Sequence, residues 1–160
     1  MIRNIDEPIQ VELSRKQREM LDDLQNRSFT YFLDQTNPAN GLVADSTWKN
    51  SPASIAAVGF SLPVYAAGVN HGWMKREEAV ERTLTVLRFF SQNGGGSEPN
   101  ELGYQGFYYH FLDMQTGQRV GQCEISTIDS AILIAGMKRM EPSRISKMQA
   151  MAIVIPRLIL

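Results

Sequence analysis

The sequence predicts a mainly helical chain carrying one short β-hairpin. Three observations predict it. Apolar residues recur at spacings of three and four in successive segments, the pattern of helices with one buried face. Two further segments, SIAAVGFSLPVYAAG and TIDSAILIAGM, are apolar on nearly every side, so each is expected to be covered by neighbours all round. Two strand-like runs, FYYHFLD and GQRVGQCEI, flank a Gly-containing turn at residues 114–117.

In chain order, residues 1–13 are polar and read as a loose arm. Residues 14–34 are expected to form a helix, with Leu21, Leu24, Ser28, Tyr31 and Phe32 near one face. Asn37, Pro38, Asn40 and Gly41 make a turn-rich connection, and LVADSTWKN is too short and mixed to assign. A second helix is expected from Pro52 with Ser51 as its N-cap, kinked or divided at Pro63 and stopped by Gly68, Asn70 and Gly72. Residues 75–91 give the cleanest amphipathic pattern: Val80, Leu84 and Leu87 face inward, Glu77, Glu81 and Arg88 face water, and Glu77 and Glu78 suit the positive helix end. Gly94, Gly95, Gly96, Pro99 and Gly103 mark a long loop, a length often tied to function. Ser126 caps the last apolar helix. After Met137 the pattern changes, although residues 143–155 are compatible with a helix.

The totals bound the function classes. A chain of 160 residues with 43% hydrophobic content can build one core. Residues 138–160 hold five basic side chains against one acidic, leaving 11 basic and 16 acidic residues before them. That acidic body offers no surface for a nucleic-acid backbone. The one cysteine, Cys123, excludes an intrachain disulfide and reads as a small semi-buried side chain. No stretch has the roughly 20 apolar residues of a membrane span, because Pro156 and Arg157 interrupt MAIVIPRLIL. The start resembles no secretory signal core, so the chain as given reads as cytoplasmic, or as periplasmic or secreted if a leader is missing. His71 and His110 have no supporting cysteines, so no metal is expected. Gly94 to Gly96 lack the lysine and hydroxyl of a phosphate-binding loop, AVGFSLP only loosely resembles a nucleophile elbow, and Ser61 reads as structural. No cofactor is called for.

Chemistry concentrates in residues 103–129, GYQGFYYHFLDMQTGQRVGQCEISTID. Asp113, Glu124 and Asp129 are the candidate catalytic residues, since glycosidic hydrolysis uses one carboxylic acid to protonate the leaving oxygen and one carboxylate to activate water or attack. Each also has a simpler reading: Asp113 as the anchor of the DMQTG turn, Asp129 as a helix N3 residue, Glu124 as a solvated side chain. Trp48, Tyr104, Phe107, Tyr108 and Tyr109 can line a cleft or pack in the core, with Phe107 and Phe111 expected to be buried. Gln105, His110 and Arg119 are candidate partners of sugar hydroxyls, with His110 read more readily as a structural hydrogen-bonding residue than as a catalyst.

Over residues 27–137 the chain resembles the bacterial glucoamylase-like domain family, which includes endo-β-1,2-glucanases and domains of cyclic β-1,2-glucan synthases. The stretches that carry the resemblance are FTYFLDQTNPANGLVADS, SIAAVGFSLPVYAAGVNHGWMKREEAVERTLTVLRFF, GYQGFYYHFLDMQTGQRV and CEISTIDSAILIAGM. The resemblance implies an α/α toroid around an acidic, aromatic-lined cleft, β-linked glucose polymers as substrates, and inverting hydrolysis. Asp45, Asp113, Glu124 and Asp129 fall at acidic positions in the matching motifs, with Glu124 as general acid and Asp113 or Asp129 binding substrate or positioning water.

Family domains are much longer, and the matching pattern stops at Met137, where the charge balance also changes. The expectation is therefore a partial toroid, an incomplete (α/α)6 barrel. Residues 14–137 would be the N-terminal portion of the domain and 138–160 an atypical tail left by truncation or a frameshift. Such a fragment is expected to be weak or inactive in β-glucan hydrolysis. The alternatives are a noncatalytic carbohydrate-binding or interaction module, or a translated fragment with no selected function.

Overall fold

The computed structural model describes residues 12–93 and 102–140. Expectations for residues 1–11, the glycine loop at 94–101 and the tail from 141 onward lie outside the described residues.

Helix α1, Arg15–Asp34, begins as its sequence dictates: Ser14 Oγ accepts the Gln17 N–H, and Gln17 Oε1 accepts the Ser14 N–H at 2.9 Å, a reciprocal capping box. The buried face differs from expectation. Phe29 is 5% exposed, whereas Leu24 is 55% exposed and Leu21 is also open to solvent. Only the C-terminal half of α1 meets the body, where the Phe29 ring packs 5.5 Å from Trp73 and against Gly68.

Helix α2, Ile55–Asn70, starts three residues later than Pro52. Ala53 and Ser54 form β1 and pair antiparallel with Leu112 and Phe111 of β4 (Phe111–Leu112). Those ladder bonds hold the backbone extended, so Ser54 takes the N-cap position in place of Ser51. Pro63 does not divide the helix, which is continuous to Asn70. A proline at this position leaves the carbonyl four residues earlier without its helical donor. That carbonyl belongs to Gly59, and it lies against Gly136 of α4 (Thr127–Arg139).

Helix α3, Arg76–Asn93, follows its pattern, with Leu87 buried and Glu77, Glu81 and Arg88 exposed. Helix α4 is capped by Ser126 Oγ, which accepts the Asp129 N–H at 3.2 Å. It runs past Met137, with Lys138 and Arg139 in its last turn at the negative end of the dipole. Met140 beyond it packs in the main core.

The described strands form two small antiparallel sheets. One has the order β2–β3–β5, from Gly103–Tyr104, Phe107–Tyr109 and Ile125–Ser126; the other is β1–β4. Gln105 (φ 50°) and Gly106 (φ 84°) connect β2 to β3, the positive pair that a tight two-residue hairpin demands. The expected hairpin around residues 114–117 is present: Leu112 bridges Arg119, and the Asp113 N–H donates to Gln118 O at 2.8 Å.

Helix α2 lies at the centre, packed on α1, α3 and most extensively α4. The main core gathers Leu42 from the first long loop, Val58 and Leu62 from α2, Phe90 from α3, Leu112 from β4 and Leu133 from α4. Tyr108 joins it edge-on to Phe90 at 5.2 Å, and burying a ring of that size is worth about 1.5–3 kcal/mol. Paired helices beside a small antiparallel sheet make this an incomplete α/α toroid with a β-hairpin. No described helix is long and apolar enough to cross a membrane.

Candidate functional site

The strand and turn layer sits over the N-terminal ends of the two apolar helices. His110, between β3 and β4, ties these parts together through its backbone. Its carbonyl accepts the Ile55 N–H at the start of α2 (3.3 Å), and its N–H donates to Glu124 O (3.0 Å), just before β5 and α4. Its side chain then lies between two carboxylates. Nδ1 is 2.9 Å from Glu124 Oε1 and Nε2 is 3.4 Å from Asp129 Oδ2, while the ring stacks on Phe111 at 3.9 Å. Glu124, Asp129 and His110 are thus brought together from loop, helix and strand edge.

The hydrogen bond from His110 is the leading cause that holds the Glu124 carboxyl below the usual glutamate range, with Arg119 adding a smaller favourable field. Arg119 is itself fixed. Its Nε donates to Cys123 O at 2.7 Å, and its guanidinium lies 4.4 Å over the Tyr109 ring, a cation–π contact. Cys123 is half-buried beside this group, with Sγ 3.3 Å from Phe111 O.

Asp113 is engaged by its own turn. Its carboxylate accepts the N–H groups of Gln115 (3.0 Å) and Thr116 (2.8 Å) and the Thr116 hydroxyl (3.0 Å). Those bonds, the Thr116 amide first, hold its carboxyl below the usual aspartate range. Asp113 also borders an open groove with Trp48, Lys49, Asn50, Asp34 and Gln35. Trp48 presents a ring that is 84% exposed. Asp45 is exposed nearby; burial, and then the Asp45 charge, raise the Tyr31 hydroxyl, which donates to Ala44 O at 2.6 Å.

The aromatic residues divide differently from expectation. Phe107, expected inside, is 45% exposed, whereas Tyr108 is 6% exposed and Tyr109 is also buried. Strand β3 lies between the helices and the Arg119 turn, so its second and third residues are both covered. Tyr108 and Tyr109 therefore present their rings to the protein interior, and burial raises the Tyr108 hydroxyl. Tyr104 and Phe107 pair across the hairpin turn as exposed rings, with Gln105 Nε2 donating to the Tyr104 hydroxyl at 3.1 Å.

Sequence reasoning missed Asn37 and Asn40. Their side-chain amides donate to Met114 O at 2.6 and 3.0 Å and fasten the first long loop to the Asp113 turn. Their signal, two asparagines in NPAN, reads only as a turn. Asn50 was also missed; it borders the groove with φ 62°. Among the described residues no group of three or more His, Cys, Asp and Glu side chains is arranged to hold a metal.

The fold is that of the glucoamylase-like and β-1,2-glucanase structures. A candidate glucoamylase from Bacteroides uniformis superposes with a TM-score of 0.73 at 22% identity, over 93% of this chain and 35% of that one. An endo-β-1,2-glucanase from Chitinophaga pinensis, in complex with sophorotriose and glucose, superposes with a TM-score of 0.69 at 18% identity, over 92% of this chain and 36% of that one. In sequence, an exo-β-1,2-glucooligosaccharide sophorohydrolase (non-reducing end) from Parabacteroides distasonis is 28% identical over 103 residues, 64% of this chain and 13% of that protein. The chain thus spans about an eighth of that relative and about a third of the two structures. No protein-family model matches it.

Proposed function

We propose that this chain supplies one wall of the glycan site of a β-glucan-active glycoside hydrolase, with β-1,2-linked glucose as the favoured substrate. The observation that carries the reading is the convergence of Glu124, Asp129 and His110 at the N-terminal ends of α2 and α4. Exposed aromatic rings at Trp48, Tyr104 and Phe107 support it, since flat rings bind the apolar faces of sugars. So does the fold shared with proteins named for β-1,2-glucan cleavage.

The chemistry assigns distinct tasks. Glycoside hydrolysis by inversion needs two carboxyl groups on opposite sides of the scissile bond, with room for water, and the acid must hold its proton. Here an imidazole fills the space between Glu124 and Asp129, and Glu124 is held as the anion. In this setting Glu124 accepts hydrogen bonds from sugar hydroxyls. Proton donation from it would require further protein that desolvates the carboxyl and raises its pKa. Asp113, locked by three hydrogen bonds, borders the Trp48 groove as a binding residue.

The lowered Glu124 and Asp113 carboxyls favour a second reading for the chain taken alone, glycan binding without cleavage. Incubation of β-1,2-glucan with the chain and with Glu124→Gln separates the two. Short oligosaccharides released by the first and not the second establish catalysis. Binding with no product from either sinks the hydrolase reading for this chain, and no binding at all sinks both.

A further inference from the structure

Several ties converge on the residue before Glu124, and one of them comes from a side chain that the sequence marks as a sugar partner. We propose that Arg119 is instead a positioning residue: it braces the backbone on both sides of Glu124 and so places that side chain toward the glycan, a role that rests on the function proposed above.

Residues 119–124 return the chain from the Asp113 turn to β5. Arg119 bridges Leu112, the Val120 N–H donates to Phe111 O at 3.1 Å, and the Cys123 N–H donates back to Val120 O at 3.3 Å. Glu124 is the single step between Cys123 and the start of β5 at Ile125. A Cβ on Gly121 would meet nothing within 4 Å, so the tip of this return is held by polar ties rather than by packing.

Arg119 supplies a tie that spans the Glu124 step. Its Nε donates to Cys123 O at 2.7 Å, on the residue before Glu124. Its guanidinium lies 4.4 Å over the ring of Tyr109, which pairs across the sheet with Ile125, the residue after Glu124. One side chain thus grips the chain on one side of Glu124 and covers its strand partner on the other. A planar guanidinium suits both contacts at once, because its edge donates while its face stacks. A charged donor also makes a hydrogen bond roughly twice as strong as a neutral one.

The charge itself is the lesser part. Among the described residues Arg119 forms no ion pair, and its field on Glu124 is weaker than the hydrogen bond from His110. The Glu124 carbonyl accepts the His110 N–H at 3.0 Å, so a shift at Cys123 is passed on to that bond. With Nε engaged and one face covered, Arg119 acts through Glu124 rather than as a ligand of the sugar.

The test compares amide hydrogen exchange and sugar affinity in the whole chain and in its Arg119→Lys and Arg119→Met variants. Arg119→Lys keeps the charge and loses the planar fork, and Arg119→Met loses both. In each variant exchange at the His110 amide should quicken, and affinity for β-1,2-linked glucooligosaccharides should fall, by about tenfold, the equivalent of one net hydrogen bond. The Tyr108 amide, bonded to Ser130 Oγ, should keep its protection. Unchanged exchange at His110 in Arg119→Lys, equal loss of protection at Tyr108, or unchanged affinity for a sugar that the parent binds overturns the proposal. In the unsubstituted chain the Arg119 Nε–H resonance should be protected from solvent and hold its position as sugar is added, while the Glu124 amide moves. An Nε–H that exchanges freely, or that moves with the sugar as a direct ligand, overturns the proposal whether or not either variant folds. Faster His110 exchange in the variants of a chain that binds no sugar upholds the brace and removes only its role toward glycan.

Discussion

Gly136→Ala places a methyl group where α4 crosses α2, and the expected sign is opposite to the usual one for a helical glycine. In an exposed helix interior the change stabilises by about 1 kcal/mol. Here the new Cβ falls on the Gly59 carbonyl oxygen, well inside contact distance. The crossing is equally tight from the other side, since a Cβ on Gly59 would lie 2.7 Å from Ile132 O and 2.8 Å from Leu133 Cα. These neighbours are backbone, so relief requires the helices to move apart and loosens Val58 and Leu133 in the main core. Overpacking of this kind costs about 1–3 kcal/mol, and more where backbone must shift. Because backbone must shift, the upper part of that range, about 2–3 kcal/mol, applies, and after the propensity gain of about 1 kcal/mol is subtracted a net loss of about 1–2 kcal/mol is expected. For a chain of this length that corresponds to a fall in Tm of roughly 2–8 °C. Thermal and urea unfolding followed by circular dichroism measure it. A Gly136→Ala protein as stable as the parent, or more stable, would refute the close approach of α2 and α4.

Other consequences follow from single contacts. Phe90→Ala removes a fully buried ring from the centre of the core and should cost about 3–5 kcal/mol; a shift in urea midpoint worth less than about 1 kcal/mol would contradict the packing described. Ser130→Ala removes the hydroxyl that accepts the Tyr108 N–H at 2.9 Å. A loss of about 1–3 kcal/mol and faster hydrogen exchange at the Tyr108 amide are expected, and unchanged exchange would count against that bond. Glu124 should titrate below an ordinary glutamate by carbon-13 NMR and move back up in His110→Ala; no movement would mean that the ring is not its partner. Asp113 likewise has a lowered carboxyl pKa, so its contribution is present above the ordinary aspartate pKa and is lost as pH falls through the lowered value. The group is exposed, so the effect is well under about 1 kcal/mol, and Asp113→Asn should flatten the acid limb of the stability curve.

Local signals in the sequence carried most of the helical fold. Ser126 with Asp129 marks a helix start that the backbone obeys, because the cap is completed within three residues, and the structure shows the same device at Ser14 and Gln17. The start of α2 was not legible in that way. It depends on Ala53 and Ser54 pairing with residues near position 112, and no local signal at Pro52 reports a partner so distant in sequence. The same limit explains α1. Its apolar spacing marks Leu21 and Leu24 as readily as Phe29, but only Phe29 has the Trp73 ring to pack against. Pro63 was read from its missing donor alone, and the close contact between Gly59 and Gly136 could not be foreseen.

At the candidate site, residue types were legible and their grouping was not. Asp113, Glu124 and Asp129 stood out as carboxylates, yet Asp113 belongs to a turn while the other two meet across His110. His110 reads in the sequence as a partner for sugar hydroxyls or as a structural hydrogen-bonding residue, with no sign of which carboxylates it meets. Its bridging position follows from the pairing of β3 with β5, a register set by hydrogen bonds between distant residues. Phe107 is expected inside and is exposed, while Tyr108, open in the sequence between cleft and core, is buried, because strand alternation can be phased only once the covered face is known.

The most direct test of the central reading is a proton–nitrogen-15 correlation titration of the whole chain with β-1,2-linked glucooligosaccharides of defined length. A glycan wall at this place predicts saturable shifts at His110, Glu124, Asp129 and the Trp48 indole, weakened in Glu124→Gln. Unchanged resonances at those residues, up to millimolar sugar, would contradict it.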